Sequence, residues 1–114
     1  MIKFNVRFLE DAIEFLDKLD EKVRDKIIYN IIKAKTINDR ELFKKLNSEI
    51  WEFRTLFNKK QYRLLAFWDK TDKTETLVIS THGFMKTTGK TPKADILKAQ
   101  SIRKEYFKFK NHKL

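Results

Sequence analysis

The sequence predicts a single α+β domain with a mostly antiparallel sheet and helices packed against it. Two observations predict this class. Helical periodicity dominates residues 10–37, and three segments rich in β-branched and aromatic residues follow between residues 50 and 84. A last helical pattern begins after Pro92. With 114 residues, 41% of them apolar, the chain has the size and apolar content of one domain, residues 1–114.

The N-terminal third predicts one strand and two helices. Residues 2–8 alternate apolar and polar side chains, which is typical of a short strand with one buried face. Residues 10–19 have apolar side chains at helical spacing and acids in the first turn. Asp20 should cap a second helix that continues to residue 37, and the two helices should form an antiparallel hairpin. The segment NDRELFKKL, residues 38–46, is predicted to add a short helix.

The second half of the chain predicts three strands and a helix. The strands are residues 50–57, 61–68 and 75–84, and the polar sequences NKK and DKTDKT between them suit hairpin connections. The middle strand is apolar on both faces, so it should lie at the centre of the sheet. Pro92 suits the first turn of a C-terminal helix over residues 93–110.

The charge of the chain is strongly positive and unevenly distributed. The net charge is +10, and residues 83–114 carry nine basic and two acidic side chains, a net +7. A basic segment joined to a nearly balanced remainder suggests a polyanionic partner such as nucleic acid. The alternative is a lysine-rich solvated surface, and composition alone does not choose between the two.

Several kinds of chemistry are excluded by the residues that the chain lacks. The absence of cysteine excludes disulfides, thiolate catalysis and cysteine metal sites, and it fits a cytoplasmic protein. No two carboxylates are spaced as a metal site requires, and two glycines cannot form a glycine-rich phosphate loop. We therefore expect no metal and no cofactor. Any catalysis must use arginine, lysine, histidine, tyrosine or hydroxyl groups.

Two arginines interrupt the predicted strands. Arg63 shares a strand face with Leu65 and Phe67, and a guanidinium is costly to bury there unless it is paired or faces a polar cleft. A hairpin through residues 58–60 would place Arg54 opposite residue 64 or within one position of it. The two arginines would then lie on one face.

An alternative explanation for Arg54 is an ion pair at the sheet edge. Its partner would be Glu52 or Glu75. That explanation is weaker for two arginines that converge beside a basic loop.

The third strand ends in His82, and Lys86 and Lys90 follow it. Together with the arginines these residues could bind a phosphodiester, because guanidinium groups match phosphate oxygens and lysines add positive charge. On RNA, such a set could promote attack of the ribose 2′-OH on the adjacent phosphate, with a lysine, histidine or tyrosine moving protons. A single histidine at a strand end is more often structural than catalytic.

Four sequence blocks resemble the RelE/HigB superfamily of type II toxins, and specifically its phage-derived HigB-like branch. The blocks are WEFR (51–54), YR with Phe67 (62–67), HGFMKTTGKTP (82–92) and RKEY (103–106). The segment FLDKLDEKVRDKI (15–27) also resembles the first two helices of the family, so the resemblance covers about residues 9–107. Two positions depart from the branch pattern. Thr87 stands where a second lysine is usual, and Gly89 replaces a bulkier residue.

The resemblance implies a compact RelE-like fold and a ribosome-dependent, metal-independent mRNA endoribonuclease. It also implies three partners: a cognate helix-turn-helix antitoxin that neutralises the toxin, the ribosome and mRNA. The predicted catalytic residues are Arg54, Arg63, Lys86 and His82, and the predicted RNA-binding residues are Lys90, Thr88, Lys93 and Tyr106.

Two further functions remain open. One is a relative of the same fold that acts by binding without cutting, as the ParE-like gyrase poisons do. The other is a basic, phage-derived module that binds RNA or the ribosome. An arginine pair that faces the loop lysines would favour the nuclease, whereas a face closed by apolar side chains would favour the other two.

Overall fold

The protein is an α+β domain, as the sequence predicted, and its sheet has five strands, one more than the four predicted. The computed structural model describes residues 4–71, 77–87 and 89–111, and no helix in these parts of the chain is long and apolar enough to cross a membrane. The elements are β1 (Asn5–Phe8), α1 (Glu10–Asp17), α2 (Glu21–Ala34), β2 (Phe43–Lys45), β3 (Trp51–Phe57), β4 (Lys60–Asp69), β5 (Leu77–Lys86) and α3 (Lys93–Asn111).

The sheet has the strand order β1-β5-β4-β3-β2. β1 runs parallel to β5, and the other neighbours are antiparallel. β4 is the central strand, as its two apolar faces predicted. Central placement follows because a strand with apolar side chains on both faces must be covered on both sides.

One face of the sheet packs against α1 and α2. The apolar side of α2, which includes Ile27 and Ile31, is buried with Phe53 and Leu64 of the sheet. α1 approaches β5 so closely that a Cβ atom at Gly83 would collide with the ring of Phe15. The glycine of the HGF sequence is therefore required by helix packing.

The other face of the sheet is divided into two halves. α3 covers one half, where Leu65, Phe67, Ile79 and Ala99 are buried together. Beyond that half, the same face carries charged side chains, with Phe84 at the border of the apolar half and Leu56 exposed among them. The two halves of this face have different chemistry, and the candidate site lies in the charged one.

The predicted short helix at residues 38–46 is wrong. Instead, Asp39 begins a turn, and Phe43–Lys45 forms strand β2 against β3. The ring of Phe43 stacks on Phe53 with centroids 4.3 Å apart and on Trp51 at 4.9 Å. These tertiary contacts outweigh the weak local helical pattern, because strand preference depends on what the side chains pack against.

Several predicted boundaries also differ by one to three residues, and α1 ends at Asp17 instead of residue 19. α2 ends at Ala34, not at residue 37, and β5 continues to Lys86, two residues past the predicted end. Lys86 is therefore part of a strand and not of the following loop. The first part of the predicted third strand, residues 75–76, lies outside the described residues.

Candidate functional site

The turn between β3 and β4 determines how the two arginines are paired. Asn58 and Lys59 both have positive φ, 50° and 66°, which is the conformation of a two-residue hairpin turn whose twist matches the flanking strands. Phe57 pairs with Lys60, and counting back along the strands places Arg54 directly opposite Arg63. The register predicted from the sequence is correct to within one residue.

A buried glutamate lies between the two arginines. Glu52 is 3% exposed, and its carboxylate is 3.7 Å from Arg54 Nε and 3.5 Å from Arg63 Nε. Thr91 Oγ1 donates a hydrogen bond of 2.6 Å to Glu52 Oε1. We call these four residues, Arg54, Arg63, Glu52 and Thr91, the arginine cluster. The predicted alternative of an Arg54–Glu52 ion pair is thus correct, and Arg63 shares the same carboxylate.

The guanidinium groups of the cluster are held mainly by neighbouring carbonyl oxygens. Arg63 donates to the Tyr62 carbonyl at 3.2 Å and to Gln61 Oε1 at 2.5 Å, and Arg54 donates to the Arg40 carbonyl at 3.4 Å. Both Nε atoms are buried and have no hydrogen-bond partner among the described residues. Burial lowers the pKa of Arg63 from its ordinary value, yet arginine stays protonated in proteins. The cluster therefore holds two positive charges against one negative charge.

The two arginines differ in exposure. Arg63 is 3% exposed, whereas the side chain of Arg54 is 23% exposed. Arg54 is therefore the guanidinium of the cluster that a bound anion reaches more easily.

Lys86 extends the positive charge of the cluster. It lies on β5 opposite Gln61, and therefore on the same face as Arg63. Burial and the nearby charges of Arg63, Arg54 and Lys44 lower its pKa, and Glu52 opposes the shift. A lysine with a lowered pKa gives up its proton more readily near neutral pH than an isolated one.

His82 is buried under α3 and contacts structural partners. Its Nε2 is 3.1 Å from Asp95 Oδ1, and its Nδ1 is 3.1 Å from Thr81 Oγ1. Burial lowers the pKa of His82, although the hydrogen bond to Asp95 opposes the shift, so the ring is neutral at pH 7. A neutral ring can donate from Nε2 to Asp95 and accept at Nδ1 from Thr81. This geometry favours the structural interpretation, in which His82 joins β5 to the first turn of α3.

The two predicted RNA-binding lysines follow β5: Lys90 lies in the segment between β5 and α3, and Lys93 is the first residue of α3. Lys90 and Lys93 are exposed on either side of Thr91, and Thr91 attaches the segment to the arginine cluster. Gly89 has a φ of +46°, a conformation that favours glycine over other residues, so its departure from the branch pattern has a backbone reason. Thr88 lies outside the described residues.

Tyr106 lies far from the arginine cluster. Its hydroxyl donates a hydrogen bond of 2.6 Å to Asp69, which is six residues along β4 from Arg63, or about 20 Å at the usual rise of a strand. Burial and the bond to Asp69 raise the pKa of Tyr106 to about 12. The residue lines a groove of about 750 Å³ between β1 and α3 together with Arg7 and Phe109. The structure does not bring Tyr106 to the other predicted site residues.

The sequence did not reveal the full role of Glu52 or any role of Thr91. A signal for Glu52 exists in WEFR, because Glu52 and Arg54 are two residues apart on a strand and must share a face. No comparable signal exists for Thr91, whose contact with Glu52 spans 39 positions.

Comparisons with known proteins identify a family and a fold. A family model described as "Phage derived protein Gp49-like (DUF891)" matches residues 14–104. A search of curated proteins finds no match. Among solved structures, a chain of the crystal structure of the toxin–antitoxin complex RelBE2 from Mycobacterium tuberculosis matches with a TM-score of 0.56 and 20% identity. The match covers 75% of this chain and 100% of that one, and it shows that the fold is RelE-like, as predicted.

Proposed function

Because this chain belongs to the phage-derived Gp49-like family, we propose that it is the toxin of a type II toxin–antitoxin pair, of the HigB-like branch. Its proposed activity is ribosome-dependent cleavage of mRNA without a metal ion. Its proposed partners are the ribosome, mRNA and a cognate helix-turn-helix antitoxin. All of them would be met in the cytoplasm.

The observation that carries this proposal is the direct pairing of Arg54 with Arg63 beside Lys86 on one sheet face. The sequence identified an arginine pair facing loop lysines as the feature that favours a nuclease over a non-cutting relative. Apolar packing closes the α3 half of this face, and the other half carries Arg54, Arg63 and Lys86 together with the exposed Leu56. Paired guanidinium groups suit the negative charge that develops on a phosphate under attack.

The chemistry required of the site is an internal transfer at phosphorus. The ribose 2′-oxygen bonds to the adjacent phosphorus and loses its proton, and the bond from phosphorus to the 5′-oxygen breaks as that oxygen gains a proton. The products are a cyclic 2′,3′-phosphate and a 5′-hydroxyl. Arg54 would bind the phosphate oxygens directly, and the buried Arg63 would add positive charge that stabilises the transition state.

Lys86 is the predicted catalytic residue best placed to move a proton. Its pKa is lowered by burial and by its cationic neighbours, and it lies on the face that carries the arginines. His82 is buried against Asp95, and Tyr106 is bound to Asp69 at the far end of β4. We therefore leave His82 and Tyr106 out of the proposed mechanism.

RNA contacts are assigned to the segment that follows β5. Lys90 and Lys93 are exposed beside Thr91, so they can reach phosphates on either side of the cleaved one. The same role for Thr88 stays a prediction. Phosphate contacts of this kind release counterions, so binding to ribosome-bound mRNA should weaken steeply as salt rises.

A second function, action by binding without cutting, is favoured by one observation. Arg63 is 3% exposed and its charge is balanced by Glu52, so this guanidinium is not open to a ligand in this conformation. A ParE-like gyrase poison, or a module that binds RNA or the ribosome, would not need the Arg63 guanidinium to be accessible to a ligand.

The experiment that separates these functions is mapping of mRNA 5′ ends after induced expression in bacteria. We compare the native chain with Arg54→Ala and with Arg24→Ala, which removes an arginine from α2 on the opposite side of the sheet. We expect growth arrest and new 5′ ends inside coding regions for the native chain and Arg24→Ala, and neither for Arg54→Ala.

Two other outcomes would contradict the proposal at different levels. Growth arrest without new 5′ ends would support a toxin that acts by binding. If the native chain causes no growth arrest, the assignment of this protein as a toxin is contradicted. Arg63→Ala is a poorer probe, because losing one partner of a buried ion pair destabilises the fold and would itself abolish activity.

A further inference from the structure

Glu52 is the only acidic member of the arginine cluster, and it touches every other member. Its Oε2 faces Arg54 Nε at 3.7 Å, and its Oε1 faces Arg63 Nε at 3.5 Å. The same Oε1 accepts the 2.6 Å hydrogen bond from Thr91. These contacts involve β3, β4 and the segment before α3, so one carboxylate joins three parts of the chain.

The arginine pair needs a negative charge to stay in place. Residues directly opposite one another in an antiparallel pair have their Cβ atoms about 5 Å apart, and like charges at that distance repel. Arg54 and Arg63 occupy such positions. Without Glu52, the two guanidinium groups would separate as far as their side chains allow.

The carboxylate also determines which edge of each guanidinium is available. Glu52 lies against the Nε side of both groups, and backbone and side-chain oxygens hold Nη atoms of Arg63. Arg54 Nη1 donates to the Arg40 carbonyl at a long 3.4 Å. Among the described residues Arg54 Nη2 makes no hydrogen bond, and 23% of the side chain is exposed, so this is the nitrogen that an anion can bind.

We propose that Glu52 is a positioning residue that holds Arg54 and Arg63 together, and that Thr91 fixes its carboxylate. This inference rests on the proposed function, because it explains how the arginines are aimed at a phosphate. Thr91 follows Lys90 directly, so its hydrogen bond also aligns the lysine segment with the arginine pair. Glu52 itself does not touch RNA.

A positioning role predicts that binding and turnover change in opposite directions. In Glu52→Gln the side-chain oxygen can still accept the Thr91 hydrogen bond, but the negative charge near the bound phosphate is lost. We expect the KM for ribosome-bound mRNA to fall because repulsion of the phosphate is removed. We expect kcat to fall roughly 10- to 100-fold because the guanidinium groups are misplaced.

The matched control is Glu105→Gln, which removes the same charge from the exposed surface of α3. It should leave both kinetic constants as in the native chain. A Glu52→Gln enzyme with native kcat would overturn the proposal. Parallel falls in activity and folded fraction, with unchanged constants per folded molecule, would show that Glu52 only supports the fold.

A second measurement is independent of activity. In the native chain, the Nε–H protons of Arg54 and Arg63 should give sharp, slowly exchanging NMR signals because both atoms are buried beside Glu52. In Glu52→Gln these signals should exchange at least tenfold faster. If the native chain cleaves no mRNA, the proposed nuclease function fails, and this measurement still decides whether Glu52 positions the arginines.

A pair of Thr91 variants covers the case in which Glu52→Gln does not fold. Thr91→Ser keeps the hydroxyl that donates to Glu52, whereas Thr91→Val keeps the shape without the donor. We expect Thr91→Ser to retain the protected signals and native kcat, and Thr91→Val to lose both. Native behaviour in Thr91→Val would show that Thr91 does not fix the carboxylate.

Discussion

The first half of β4 carries Arg63 beside the buried carboxylate of Glu52 on β3, and the last residue of β4 is the buried Asp69. We call these regions the arginine end and the Asp69 end, and their two carboxylates are satisfied in different ways. Asp69 is 2% exposed and accepts hydrogen bonds from Tyr106 at 2.6 Å, Lys110 at 2.7 Å and Thr71 at 2.7 Å. Glu52 is 3% exposed, but its arginine contacts are 3.5 and 3.7 Å long.

This difference indicates that the Asp69 end supports the fold and that the arginine end is suited to chemistry. Burial alone would raise the pKa of Asp69, but its hydrogen bonds outweigh burial and lower the pKa below its ordinary value. The environment thus favours the charged form and ties α3 to the sheet. Within the part of the chain that the structure describes, the arginine cluster has two buried Nε atoms without hydrogen-bond partners, which is unfavourable for stability and typical of functional sites.

The largest expected effect comes from replacing the charged pair at the arginine end by apolar residues. In the double variant Glu52→Leu/Arg63→Met the rate of mRNA cleavage should fall roughly 100- to 1000-fold. The reason is that the positive charge of Arg63 no longer stabilises the negative charge on the phosphate in the transition state. Its free energy of unfolding should change by less than about 1 kcal/mol, since apolar packing replaces the buried pair while Arg54 and Thr91 lose the carboxylate that they share. Cleavage assays on ribosomes and urea unfolding measure the two quantities. A large loss of stability would contradict the division between the two ends.

At the other end, Asp69→Asn should reverse this pattern. We expect the free energy of unfolding to fall by about 2 kcal/mol, because the four hydrogen bonds that Asp69 accepts, two of them from Thr71, are weakened. Cleavage per folded molecule should not change. Asp17→Asn, on the exposed surface of α1, is the control and should alter neither quantity. Loss of cleavage in folded Asp69→Asn would show that the ends are not separate.

The free energy of unfolding should depend on the protonation of two buried groups, His82 and Asp69, in different pH ranges. Burial lowers the folded pKa of His82, so below about pH 6.5 the unfolded state binds more protons and the free energy of unfolding decreases. The pKa of Asp69 is also lowered, so its stabilisation is complete above about pH 4 and is lost as the pH falls further.

Thermal unfolding from pH 8 to pH 3 tests this prediction. The native chain should lose stability in two stages, and His82→Gln should lack the stage that begins near pH 6.5. A first stage that persists in His82→Gln would assign it to another group.

The smallest expected effect concerns the turn that sets the arginine register. Lys59 has a φ of 66°, where a glycine has no steric penalty, so Lys59→Gly should raise the free energy of unfolding by about 0.5–1 kcal/mol. Cleavage should be unchanged because Arg54 stays opposite Arg63. Lys60→Gly, one residue later within β4, is the control and should lower stability. A lower stability in Lys59→Gly would contradict the assigned turn conformation.

The sequence predicted most of the fold because hydrophobic periodicity was strong in most elements. The two apolar faces of β4 placed that strand correctly at the centre, and the short NKK connection gave the arginine register to within one residue. β2 could not be predicted in the same way. Its side chain Phe43 is placed by rings on β3, and local spacing contains no information about those contacts.

The candidate site was predictable only in part. Alternation along β3 and β4 put Arg54 and Arg63 on one face, and the position of Lys86 on that face follows from the extent of β5. Burial of Arg63 and the bond between Thr91 and Glu52 depend on where the segment before α3 lies. The separation of Tyr106 from the cluster likewise depends on the direction in which α3 crosses the sheet.

The most direct test of the division between the two ends is the rate of mRNA cleavage on purified ribosomes for Arg54→Ala and Tyr106→Phe. Arg54→Ala removes the more exposed guanidinium of the cluster, and Tyr106→Phe removes the hydroxyl that binds Asp69. We predict that Arg54→Ala lowers the rate roughly 100- to 1000-fold and that Tyr106→Phe retains the native rate per folded molecule. A native rate in Arg54→Ala, or equal losses in both variants, would contradict the assignment of chemistry to the arginine cluster.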